Sequence, residues 1–183
     1  MEYKMTIAGL ERKLPLCPIN EKLYIGAFIM FGDTELTEAC AVELLKKAPD
    51  FDVLVTAESK GIPLVCSMAR LSGKGKYVLA RKSVKLYMKD VVSCVVKSIT
   101  TAADQVLYLD GSDAEYLKGK KVLIVDDVIS TGASLLAIEK LVEMSGGNIV
   151  GKMAVLAEGD AIGRDDIIVL ADLPLFHPDG TPM

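Results

Sequence analysis

The sequence predicts an α/β protein built on an open parallel sheet flanked by helices, and three observations carry that expectation. The stretch Val122 to Ser134, VLIVDDVISTGAS, opens with four apolar residues of the length and β-branched content of a strand buried on both faces. Between Thr37 and Ala80 the pattern runs helix, strand, loop, helix, strand, which is the order of βαβ units. Hydrophobic residues make up 51% of the chain and aromatics only 5%, so the core is aliphatic, as buried parallel sheets are.

Taken in order, Thr37 to Lys47 has helical spacing, with Thr37 or Thr34 as cap and Ala41, Leu44 and Leu45 facing inward. Pro49-Asp50 stops it, and Phe51 to Thr56 reads as the first central strand. Ala57 to Gly61 is a loop and Ile62 to Leu71 a helix closed by Ser72-Gly73. Tyr77 to Ala80 is the next strand, ending in Arg81-Lys82. From Lys85 to Asp104, valines alternate with Lys, Ser and Thr without a firm period, and Gln105 to Leu109 reads as a strand. Gly111 to Gly119 forms the approach to the strand at Val122. Asp126 and Asp127 are expected at that strand's end, followed by a turn, Ile129 to Gly132. A helix then places Leu135, Ile138, Leu141 and Val142 on one side and is closed by Ser145 to Asn148. Ile149 to Ala157 and Ile167 to Leu170 are further strands. The tail, Leu173 to Gly180, is irregular but apolar enough to pack. With no internal repeat or low-complexity linker, residues 1–183 are expected to form a single domain.

Composition removes several classes of function. Lys+Arg 21 against Asp+Glu 25 leaves a net charge of −4, without the basic excess of a nucleic-acid surface. Cys17, Cys40, Cys66 and Cys94 are scattered, and with His177 as the one histidine they make no zinc pattern. Free thiols, no signal-peptide pattern at the amino terminus and no apolar run of membrane-spanning length lead to the expectation of a cytoplasmic protein.

The chemistry gathers at the expected carboxyl ends of strands, where open α/β sheets bind ligands. Backbone N–H groups of the Ser130-Thr131-Gly132-Ala133-Ser134 turn, with its three hydroxyls, would face an anion at a helix start, the natural anion being a phosphate. Asp126 and Asp127 lie one turn-length away, able to accept from sugar hydroxyls or to hold a hydrated divalent metal. The bland alternative is an ordinary strand, with the two acids solvated at a helix entry and Thr131 or Ser134 as caps. The run has neither the dinucleotide-binding glycine spacing nor a P-loop lysine. A second strand–turn–helix follows Val53, where Glu58-Ser59-Lys60-Gly61 sets a cation beside a helix start and a glycine that permits an unusual backbone angle. Arg81, Lys82 and Lys85 add cations at the next strand end, in the right chain order for a pyrophosphate; the bland alternative is a solvated basic loop.

The run from Val122 to Ser134 resembles, unbroken over thirteen positions, the signature of type I phosphoribosyltransferases. The resemblance implies that family's fold: an open parallel sheet with a small hood formed by the amino- and carboxyl-terminal segments, about residues 1–35 and 160–183. It covers most of the chain, about Ile25 to Phe176. Glu58-Ser59-Lys60-Gly61 resembles the family's pyrophosphate loop, with lysine where adenine-type members carry arginine; this keeps the charge and loses the bidentate fork. Ala80-Arg81-Lys82 and Leu173-Pro174-Leu175-Phe176 resemble purine-type members. Tyr87 to Gln105 falls where the family has a mobile flap. Here it reads Lys97-Ser98-Ile99-Thr100-Thr101-Ala102, without the glutamate of adenine-type members and closer in character to xanthine-type ones.

The resemblance implies a purine phosphoribosyltransferase acting on phosphoribosyl pyrophosphate and a purine base, adenine slightly ahead of xanthine. Asp126 and Asp127 would be the catalytic acids, holding ribose hydroxyls directly or through metal water. Ser130, Thr131, Gly132, Ala133 and Ser134 would bind the 5-phosphate. Glu58, Ser59, Lys60, Gly61, Arg81, Lys82 and Lys85 would serve the pyrophosphate. Mg2+ would arrive with the donor, without direct protein ligands, and the enzyme would be a homodimer. Two other readings stand beside this one. A donor- or nucleotide-binding regulator would need a DNA-binding domain, for which the stretch before Val122 leaves no room. A pyrimidine or orotate enzyme shares the signature but not the purine-like elements.

Overall fold

The computed structural model describes residues 1–96 and 105–183. Five strands form one parallel sheet: β4 (Val53–Ala57), β5 (Tyr77–Ala80), β8 (Lys121–Ile129), β9 (Asn148–Glu158) and β10 (Ile168–Leu173), in the order β10-β9-β8-β4-β5. Their side chains explain the two-sided core. In β8, Val122 and Ile124 face one hydrophobic cluster while Leu123 and Val125 face the other, and Leu54 is turned away from its neighbours Val53 and Val55 in the same manner. The first cluster is closed by α4 (Ala133–Met144), whose Leu135, Ile138, Leu141 and Val142 are all buried as their spacing predicts. The second is closed by α1 (Thr34–Lys47) and α2 (Ile62–Leu71).

The boundaries differ from expectation where a local cap overrides spacing. α1 starts at Thr34, capped by neither threonine: Asp33 accepts from the Leu36 N–H at 3.0 Å, and the buried Thr37 hydroxyl donates to the Asp33 carbonyl at 2.7 Å. Gly111–Leu117, part of the stretch expected only as the approach to the next strand, is a short helix, α3, whose cap Asp110 accepts from the Ser112 N–H at 2.9 Å. β8 does not end at the acidic pair. It continues to Ile129, so Asp126 stands within the strand in register with Ala154 of β9.

No element was expected before the helix at Thr37, yet β1 (Glu2–Ile7) and β2 (Leu10–Pro18) form an antiparallel hairpin, and β3 (Tyr24–Gly26) extends it. The connecting Ala8-Gly9 has positive φ at both residues, the geometry that matches strand twist in a two-residue turn. The tail packs here: Tyr24 and Phe176 exchange backbone hydrogen bonds of 2.9 Å in both directions, and the fully buried Phe176 ring lies 4.8 Å from that of Tyr3. β6 (Val92–Val96) and β7 (Gln105–Leu109) pair antiparallel as a separate ribbon. The segment Lys97 to Ala102, on which the flap comparison turned, lies outside the described residues.

Candidate functional site

β8 and β4 run parallel and in register, so the loops leaving their carboxyl ends meet. Asp126 is 9% exposed and Asp127 4%, both deep for carboxylates. Asp126 Oδ1 accepts from the Ser59 hydroxyl and from the Asp127 N–H, each at 2.9 Å, which ties the loop after β4 to the acidic pair. Burial first, and the charge of Asp127 second, push the Asp126 carboxyl up to about 7. Lys60 Nζ lies 3.2 Å from Asp127 Oδ2, close enough for charge attraction but off the hydrogen-bonding direction. Among the described residues, that buried oxygen therefore accepts no hydrogen bond. The same ammonium donates to the Phe28 carbonyl at 2.6 Å, joining the loop to the amino-terminal segment.

Gly61 is required for a reason other than the expected one. Its φ of −71° suits any residue. A Cβ there, however, would stand 3.0 Å from Asp126 Oδ1, 3.1 Å from Thr56 Oγ1 and 3.2 Å from the Asp127 nitrogen. Only a residue without a side chain lets the helix start approach the acids this closely.

The turn after β8 runs from Ser130 into α4, and Gly132 caps that helix in the left-handed region at φ 77°. With Asp126 at one end, Ser130, Thr131, Gly132, Ala133 and Ser134 line a cavity of about 60 Å3. Two larger hollows, about 370 and 430 Å3, lie between the start of α1 and α2 and beside α3, away from the acidic pair.

The basic residues after β5 reach the site through Glu58. Its carboxylate accepts from the Lys82 N–H at 2.9 Å and lies 3.2 Å from an Arg81 nitrogen and 3.6 Å from Lys85 Nζ. That backbone bond, the largest influence, holds the Glu58 carboxyl below the ordinary carboxylate range; burial opposes it, and Arg81 and Lys85 add to the lowering. Glu58 thus holds the Arg81 and Lys85 side chains and the backbone of Lys82. Arg81 is fixed further by paired backbone bonds of 2.8 Å to Tyr108 of β7.

Three residues not singled out in the sequence stand at the same rim. Thr56 is fully buried, and among the described residues its hydroxyl has no hydrogen-bond partner. Glu158 ends β9 facing Lys60, and burial raises its carboxyl against the lowering effect of that ammonium. Arg164 follows the 3-10 turn Gly159–Ala161, and its Nη1 would lie 2.8 Å from a Cβ on Gly132. Ends of parallel strands were the signal that could have drawn attention to Thr56 and Glu158.

Among the described residues no three His, Cys, Asp or Glu side chains converge as a metal-binding group. The two carboxylates, one with an oxygen that accepts no hydrogen bond, do suit outer contacts to a hydrated Mg2+, which keeps several of its waters. No helix among the described residues is long and apolar enough to cross a membrane.

A parallel sheet carries an acidic pair, a hydroxyl-bearing turn with one glycine at a helix start, and a lysine-bearing loop on the adjacent strand. The phosphoribosyl transferase domain model matches residues 36–172, and the chain belongs to that family. It is 33% identical over 166 residues to the hypoxanthine/guanine phosphoribosyltransferase of Methanothermococcus okinawensis, covering 86% of this chain and 85% of that protein. It is 34% identical over 160 residues to the enzyme of the same name from a Methanocaldococcus species, covering 82% and 78%. Among solved structures, adenine phosphoribosyltransferase from Thermoanaerobacter pseudethanolicus superposes with a TM-score of 0.73 at 24% identity, covering 87% of this chain and 95% of that one. The Saccharomyces cerevisiae adenine enzyme, solved with adenine and an imino-altritol bisphosphate, gives 0.67 at 23%, covering 86% and 92%. These structures share the fold, an open five-stranded parallel sheet flanked by helices.

Proposed function

We propose that the protein is a purine phosphoribosyltransferase, moving 5-phosphoribose from phosphoribosyl pyrophosphate to a purine nitrogen and releasing pyrophosphate. The observation that carries this reading is the buried Asp126–Asp127 pair, joined through Ser59 and Lys60 to one loop, with Asp126 sharing a cavity with the Ser130–Ser134 turn. As the C1–O bond breaks, positive charge grows on the ribose and negative charge on the leaving group. The two carboxylates sit where they hold the ribose hydroxyls and favour that cation. The turn grips the 5-phosphate, far from the bond being broken, so binding energy there orients the sugar. Lys60, Arg81, Lys82 and Lys85 meet the pyrophosphate, while Ser59 fixes Asp126 and Gly61 keeps the loop close. Mg2+ carried by the donor supplies charge neutralisation at the leaving group. No protein nucleophile is required.

The hairpin β1–β2, β3 and the tail around Phe176 form the hood over the base, making one domain of residues 1–183. We place adenine first and xanthine next, on the Glu58–Gly61 loop and the Ala80-Arg81-Lys82 strand end. A second reading, hypoxanthine and guanine, is favoured by the names of the relatives at 31–34% identity. We further propose a cytoplasmic homodimer. The test is pyrophosphate release from phosphoribosyl pyrophosphate and Mg2+ across adenine, hypoxanthine, guanine, xanthine, uracil and orotate. One or two purines should stand well above the pyrimidines, because a site built to pair with one base edge rejects another strongly. A pyrimidine winning overturns the purine assignment; donor binding without reaction of any base favours a regulator.

A further inference from the structure

Building on the reading above, we infer that Arg164 is a further donor-binding residue, supplying the 5-phosphate with the cation that the Ser130–Ser134 turn itself lacks. That turn offers amides, hydroxyls and a helix start, but neither lysine nor arginine. Arg164 arrives from the loop between the 3-10 turn and β10, thirty-two positions beyond Gly132 in sequence, and its Nη1 rests against Gly132 at the cap of α4.

The guanidinium is held in place. Nε and Nη2 form a fork on Asp166 at 2.8 and 2.7 Å, and Asp166 also accepts from Lys152 of β9. Lys152 in turn lies 2.8 Å from Glu139 Oε1 on α4. The ladder therefore leaves α4 in its second turn, crosses β9 and returns to the cap of the same helix. Lys152 and Glu139 are only about one-fifth exposed, so the arrangement is partly shielded from solvent. Arg164 first and Lys152 second hold the Asp166 carboxyl far below its ordinary range, so the anchor stays ionised at any working pH. A guanidinium with one edge on a carboxylate presents its remaining edge, including Nη1, to a second anion, a geometry lysine cannot reproduce. Here that edge points to the rim of the turn. Gly132 suits this place twice: for its left-handed backbone, and because a Cβ there would stand 2.8 Å from Arg164 Nη1 and press the guanidinium aside.

The experiment compares wild type, Arg164→Gln and Arg164→Lys by calorimetry with two probes, phosphoribosyl pyrophosphate and pyrophosphate, each with Mg2+, together with steady-state kinetics. A charge-assisted hydrogen bond is worth about 1.5–3 kcal/mol, so Arg164→Gln should weaken donor binding roughly 10- to 100-fold. Donor KM should rise more than kcat falls, pyrophosphate affinity should hold, and Arg164→Lys should recover part of the loss. Unchanged donor affinity in Arg164→Gln overturns the inference while leaving the proposed function standing. So does an equal loss for donor and pyrophosphate, which marks a general collapse of the loop. A wild-type protein that binds no donor overturns both.

Discussion

Replacing Asp126 by asparagine separates what the carboxylate does for the reaction from what it costs the fold. Its carboxyl is pushed from 3.8 to about 7, chiefly by burial and then by Asp127. The unfolded chain carries no such penalty, so between those two pH values the folded protein binds a proton that the unfolded chain does not. The corresponding stability is fully present below about pH 4 and is lost as pH rises through 7. A factor of ten in proton affinity is worth about 1.4 kcal/mol, which makes the whole interval on the order of 4 kcal/mol. Asparagine keeps an Oδ1 to accept from Ser59 and the Asp127 N–H, and it carries no charge at any pH. The Asp126→Asn protein should therefore melt close to wild type near pH 4 and above it at pH 8. At about 2–4 °C per kcal/mol for a domain of this size, the gain is roughly 8–16 °C at most. Turnover should fall at the same time. Thermal melts from pH 4 to 8 in chelator, with activity measured in parallel, test this. A difference in Tm that stays constant across that range would refute the reasoning, because it would mean that Asp126 does not change its protonation there.

Replacing Asp126 and Asp127 together by asparagine should leave circular dichroism unchanged and remove most turnover; a folded double variant with wild-type activity would take both residues out of the site. Gly132→Ala should cost about 1–2 kcal/mol of stability for its left-handed φ and should weaken donor binding, because its Cβ meets Arg164 Nη1 at 2.8 Å. Thr131→Val, which deletes only a hydroxyl, should weaken donor binding less, and calorimetry showing neither effect would move the phosphate elsewhere. Gly61→Ala has no backbone penalty, so its effect is crowding against Asp126, Thr56 and Asp127: about 1–3 kcal/mol on denaturant unfolding, together with a loss of activity. A fully stable and active Gly61→Ala protein would show that the loop does not need its close approach.

The elements whose pattern is local were legible in the sequence. α2, β5 and β7 fall at their expected bounds, and the buried face of α4 is the one its spacing predicts. The true end of β8 was not legible, because two aspartates inside a strand read as its terminus; their burial is a cost that local propensity does not anticipate. The amino-terminal hairpin escaped because its turn is Ala8-Gly9 rather than an asparagine- or aspartate-glycine pair, although Glu2–Ile7 alternates polar and apolar residues at every step. α3 is too short to show a period. In the site, the acidic pair, the turn and the Glu58–Gly61 loop were readable because each is contiguous. Glu158, Thr56 and Arg164 join them through space from β9, β4 and the approach to β10. The role of Gly61 was misassigned for the same reason: its constraint comes from β8, sixty-five positions further on.

Glu58 has a consequence for how fast and how selectively a polyanion can enter. The Arg81 guanidinium and the Lys85 ammonium lie against this ionised carboxylate and the Lys82 N–H donates to it, so in the free protein Glu58 offsets one of the local positive charges. The chain as a whole carries −4, so its field far from the surface does not attract anions. On the proposed function, capture would be an exchange, in which the incoming ligand replaces Glu58 as partner to Arg81 and Lys85. An exchange of one anion for another changes the local ion count little, so association should be slower but less sensitive to salt than the number of cations suggests. It also sets a threshold. A single weakly charged phosphate gains little by displacing a carboxylate already in place, whereas a metal-chelated pyrophosphate offers several oxygens at once, and abundant simple anions are kept from occupying the site.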